Sequence, residues 1–184
     1  TYITCALFVV LMAVVILLIP SINNGLIWAI LAGTAVGVVI GQTTEFFTSD
    51  EYKPVQLTAE YSGSGAAITI ISGMSYGLIS IVPSIVGIVV AMMVAYYVVG
   101  GGEMGLYGIA ISAVGMLATS GMIVSSDAYG PIVDNARGIA EMSGMDEEVI
   151  DRADVLDSAG NTAKAITKGF SIAAAALTVL GLFV

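Results

Sequence analysis

Asp154, Asp157, Asn161, Lys164 and Lys168 follow one another at steps of 3, 4, 3 and 4 residues. On an α-helix that spacing aligns all five on one face. Acids, an amide and ammonium groups in one row mark a place where charged ligands or ions are handled, above all in a chain this apolar. A second series, Asp127, Asp134 and Glu141, repeats every seven residues, again on one helical face. Gly130-Pro131 lies between the first two and predicts a bend. Carboxylates seven residues apart stand roughly 10 Å apart along the axis, too far to share one ion. Each either takes its own magnesium or salt-bridges to the next helix, and a hydrated helix end with ordinary ion pairs accounts for the same spacing.

The elements that must hold these rows are membrane helices. The 184 residues are 58% hydrophobic and 10% charged, with a mean hydropathy of +1.00. Soluble domains carry about 25% charged residues. Composition thus specifies an all-α integral membrane protein. With no His and a single Cys, Cys5 in an apolar run, a disulfide framework, a His-based triad and the common zinc sites are excluded. A net charge of -9 excludes nucleic acid as a partner and suits metal cations. Five helices are expected in one transmembrane region covering 1–184, at about residues 2–19, 25–42, 66–99, 104–142 and 151–184. The sequence opens and closes inside apolar runs, which predicts a segment of a longer chain.

Two connections are short (residues 21–25 and 100–103) and two are long and polar (residues 42–66 and 143–151). With five crossings the long connections share one side. All five basic residues, Lys53, Arg137, Arg152, Lys164 and Lys168, fall on that side, so the long loops and charged helix ends are expected in the cytoplasm. Residues 104–124 alone make about 31 Å of helix, enough to cross the hydrocarbon, and the pattern continues for about 27 Å more. The polar stretch 154–168 adds about 21 Å to the last helix. Two neighbouring helices are therefore expected to project from the membrane, each with a charged inner face. Gly33, Gly37 and Gly41 add a small-residue face for close helix packing.

The row around Asp134 reads Asp127-Ala-Tyr-Gly-Pro-Ile-Val-Asp134-Asn-Ala, then Gly138-Ile-Ala-Glu141-Met-Ser. The last helix contains Leu156-Asp157-Ser-Ala-Gly160-Asn161-Thr and Lys168-Gly-Phe170. Upstream stands Thr44-Glu45-Phe-Phe-Thr-Ser49, followed by Glu51-Tyr-Lys53-Pro-Val55. In this order the motifs closely resemble the membrane-bound ion-pumping pyrophosphatases, from about Thr44 to the end, with Phe where the family usually has Tyr and Arg137 where it usually has Gly. That family is a homodimer with about sixteen membrane helices per subunit, each of the roughly 20 residues a bilayer requires.

The resemblance implies a pyrophosphate-energised proton pump, hydrolysing pyrophosphate with Mg2+ on the cytoplasmic side, with this chain supplying five consecutive helices from the second half. It implies a second copy, membrane lipid and the remaining helices of the same pump as partners. Residue by residue, it makes Asp134, Asn161 and Lys168 catalytic. It makes Asp134, Asp127 and Asp157 metal ligands. It makes Lys164 the determinant of potassium independence, and with it of proton rather than sodium transport. The family's Asp-rich motif with acids at four-residue spacing, its C-terminal Asp/Lys motif and the ion-selecting acid are not in these residues. A different class remains compatible with the residues alone: a passive channel or carrier, or a structural membrane subunit with hydrated helix ends.

Overall fold

The structure, a computed structural model, describes residues 2–183. Its order is α1 (Tyr2–Leu18), α2 (Gly25–Thr48), α3 (Lys53–Ser62), α4 (Ala66–Val98), α5 (Gly102–Met116), a 3-10 turn (Leu117–Thr119), α6 (Ser120–Met142) and α7 (Glu147–Phe183). The described residues contain no strand. Four helical stretches, Gly25–Ser62, Ala66–Val98, Gly102–Met142 and Glu147–Phe183, are long and apolar enough to cross a membrane. The apolar α1 is shorter, at 17 residues.

Three details depart from the periodicity. Part of the polar connection at residues 42–66 is helical: α2 runs on to Thr48, and α3 starts where Pro54, at the first helical positions, needs no donor of its own. The fourth apolar stretch is broken by the 3-10 turn at Leu117–Thr119. And α7 starts at Glu147, where two acids in its first turn suit the positive end of the helix dipole.

The chain forms two compact units. The first comprises the chain up to Gly41, Val82–Met122, and the residues from Gly169 on. Apolar side chains gain little from one another where lipid is equally apolar, so membrane helices gain affinity from close backbone contact at small residues. This unit uses that device between α2 and α5. A Cβ on Gly33 would fall 2.9 Å from the Ser112 hydroxyl, and one on Gly37 would press on Met116 and Phe170 at 3.3 Å. The Thr34 hydroxyl lies 3.0 Å from the Gly115 carbonyl, across the same crossing. Ile16, Leu26, Ile30 and Val99 form one apolar cluster of its core. The entry into α5 holds Gly100, Gly101 and Gly102 at φ of +102°, +73° and +59°, which side chains rarely tolerate.

The second unit comprises Gln42–Ile81 and Ile123–Lys168. Here Gln56 donates to the carbonyls of Asp50 and Glu51, both at 3.1 Å, folding the turn between α2 and α3. Thr58 of α3 meets Ser72 of α4 at 3.1 Å. The Ser158 hydroxyl of α7 donates to Asp50 at 2.8 Å.

Candidate functional site on α6 and α7

Both charged rows lie in the second unit, on antiparallel stretches of α6 and α7. Glycine sets their approach. A Cβ on Gly160 would stand 2.6 Å from Val133 and 3.0 Å from the Gly130 Cα, and one on Gly130 would stand 2.6 Å from Lys164 Cγ. Both glycines are buried. Pro131 follows at once and removes the N–H that would bond the Asp127 carbonyl. The lysine stem thus crosses the bare backbone of Gly130 and places its ammonium beside Asp134 of α6.

Four of the expected site residues form one chain of contacts. Lys164 Nζ stands 3.4 Å from Asp134 Oδ2, an ion pair longer than a good hydrogen bond. The same ammonium donates to Asn161 Oδ1 at 3.2 Å. Asn161 Nδ2 donates in turn to Asp157 Oδ2 at 3.2 Å. Asp157 Oδ1 is buried without a hydrogen-bond partner among the described residues. Lys164 is largely covered, at 22% exposure, whereas Asp134 is 61% exposed and open to a ligand. Asp127 and Lys168 lie outside this chain: Asp127 is half-buried and Lys168 exposed, and neither has an ion pair among the described residues. Thr167 is held beneath the row, its buried hydroxyl 3.2 Å from the Ile123 carbonyl of α6.

The alternative left open for the α6 acids resolves differently at each. Asp134 pairs with α7 through Lys164. Glu141 pairs within α6, with Arg137. Sequence reasoning gave no part to Arg137, whose Nε donates to Asp154 Oδ1 of α7 at 2.6 Å. The signal was available: Arg137 is three residues from Asp134 on one row, and Asp154 heads the other.

The family described as Inorganic H+ pyrophosphatase matches residues 1–184. The chain belongs to that family. A relative from Clostridium tetani, provisionally named a K(+)-stimulated pyrophosphate-energized sodium pump, is 52% identical over 159 residues, covering 85% of this chain and 24% of that protein. The K(+)-insensitive pyrophosphate-energized proton pump of Methanosarcina mazei is 49% identical over 156 residues, covering 83% of this chain and 23% of its own. The K(+)-stimulated pyrophosphate-energized sodium pump of Thermotoga maritima is 43% identical over 151 residues, covering 82% of this chain and 20% of its own. The chain therefore spans about a quarter or less of the length of these relatives. Overall identity does not separate the two kinds of pump.

Magnesium was expected at this site. Among the described residues no three His, Cys, Asp or Glu side chains converge to hold a metal by themselves. Mg2+ needs only one or two carboxylates when substrate phosphates supply further oxygens. The unpartnered Asp157 Oδ1 and the exposed Asp134 carboxylate are hard oxygen donors that fit such a part-site.

The glycine crossing gives a direct test. In Gly160→Val the added methyls meet Val133 and the Gly130 backbone, so α6 and α7 must separate. The expected cost is about 1–3 kcal/mol, read as a lower Tm of the intact protein in detergent. An unchanged Tm would show that the close approach is dispensable.

Proposed function

We propose that this chain is part of a pyrophosphate-energised proton pump, in which α6 and α7 supply a portion of the hydrolytic site. The observation that carries the reading is the run Asp134–Lys164–Asn161–Asp157, with positive charge placed between acids at an accessible helix face.

Pyrophosphate is a compact polyanion, so cations must neutralise it before water can approach phosphorus. Asp157 and Asp134 are the residues that would hold Mg2+ here, and Asp127, about 10 Å along α6 from Asp134, would serve a separate ion. When bound, Mg2+ supplies charge neutralisation and acidifies a coordinated water. Lys168, exposed and unpaired among the described residues, is free to bind a phosphate oxygen as a mobile point charge. Asn161, fixed by Asp157 and Lys164, presents an oriented amide rather than a rotating one. Asp134 accepts the proton of the attacking water as a new P–O bond forms and the bridging P–O bond breaks, releasing two phosphates. Hydrolysis on the cytoplasmic side agrees with the clustering of all five basic residues at one end of the expected topology. A second copy, the remaining helices of the pump and lipid would cover apolar faces such as that of α4, which is mostly exposed.

The proton, rather than sodium, is proposed from Lys164, the residue that goes with potassium independence in the resembling family. The test is transport. Vesicles containing the intact protein should acidify their lumen when magnesium and pyrophosphate are added outside, without sodium or potassium. Hydrolysis that requires sodium would overturn the proton assignment, and absence of any pyrophosphate hydrolysis would overturn the reading as a whole.

A further inference from the structure

We propose that Arg137 is a positioning residue for the α6/α7 site, an inference that rests on the reading above. Three links join the two antiparallel helices: Gly130 against Gly160, the Lys164 ammonium reaching back past Gly130 to Asp134, and Arg137 against Asp154. The first is a steric stop and does not limit the angle beyond it. The second is a single, longer contact of 3.4 Å. Arg137 closes the far end with a planar fork: Nε to Asp154 Oδ1 of α7 at 2.6 Å, and Nη1 to Glu141 of its own helix. Asp134 on α6 and Asp157 on α7 lie between the stop and this clamp, and Asn161 adjoins the stop. Arg137 therefore fixes the spacing of the residues that must meet substrate together.

The surrounding charges make the clamp necessary. Facing one another are Asp134 and Glu141 from α6 and Asp154 and Asp157 from α7, with Lys164 the other cation paired across them. Without the guanidinium, Glu141 and Asp154 become unpaired like charges at the point where the helices part. The pairs are partly exposed, with Arg137 at 31% and Asp154 at 50%, so their worth to overall stability is small. Site geometry is far more sensitive: a displacement of about 1 Å can cost on the order of a hundredfold in rate. The role belongs in kinetics, not in folding.

The test uses the intact protein with three changes: Arg137→Gln, Asp154→Asn, and the reversed pair Arg137→Asp with Asp154→Arg. Each single change should lower kcat for magnesium pyrophosphate about fivefold with little change in KM, and the reversed pair should recover most of the loss. Nitroxide labels at Ile139 and Val155, both exposed, in a Cys5→Ser background report the interhelical distance. One narrow distribution is expected in the parent, a broad one in Arg137→Gln, and a narrow one again in the reversed pair. An unchanged distribution in Arg137→Gln overturns the clamp. A broadened distribution with unchanged kcat overturns the positioning role. A parent that does not hydrolyse pyrophosphate overturns the proposed function instead, and the distances still decide whether Arg137 holds the helices.

Discussion

Asp134→Asn in the intact protein should lower pyrophosphate hydrolysis by about a thousandfold while leaving expression and folding nearly unchanged. The amide keeps the shape of the carboxylate but loses the charge that holds a divalent cation and the basicity that accepts a proton, each within the range ascribed to positioned acid–base groups. The folding cost is small because the side chain is 61% exposed and its one ion pair, with Lys164, is 3.4 Å long. An exposed pair of that kind contributes under about 1 kcal/mol. The measurement is phosphate release by the purified variant at saturating magnesium and pyrophosphate, beside its Tm. Near-normal release would remove Asp134 from the hydrolytic centre.

Lys164→Ala should convert a potassium-indifferent enzyme into one that responds to potassium. Lys164 is tethered at three points: its stem lies over Gly130, and its ammonium bonds Asn161 and pairs with Asp134. Truncation removes a fixed positive charge and opens space at the same spot. Hydrolysis without potassium should fall about tenfold, the scale of one charge interaction near a protein surface, and added potassium should restore much of it. The parent should show equal rates with and without potassium. Strong potassium activation of the parent, or a variant with no potassium response, would end the idea of a tethered cation. Relatives named as K(+)-stimulated and K(+)-insensitive match at 52% and 49% identity, so this measurement decides what overall identity does not.

Much of the molecule was legible in its sequence. Apolar runs of membrane length specify helices because a lipid-exposed backbone must satisfy its own hydrogen bonds. The steps of 3, 4, 3 and 4 place Asp154, Asp157, Asn161, Lys164 and Lys168 on one face whatever surrounds them, because the helical period alone decides it. The short helix α3 was hidden, since its ten residues fall short of the roughly 11–18-residue window over which helical periodicity can be read. Which residues meet across two helices was hidden as well. Period says nothing about register, and register here is set by the contact of Gly130 with Gly160, where the absence of two side chains lets the backbones touch. From that contact it follows that Arg137 reaches Asp154, while Asp134 meets Lys164 because the lysine stem runs over the bare Gly130 backbone. The sequence by itself determined the helices and the composition of each charged face. Only the tertiary structure decided which charges face each other, because an ion pair depends on separations of a few ångströms that only helix packing sets.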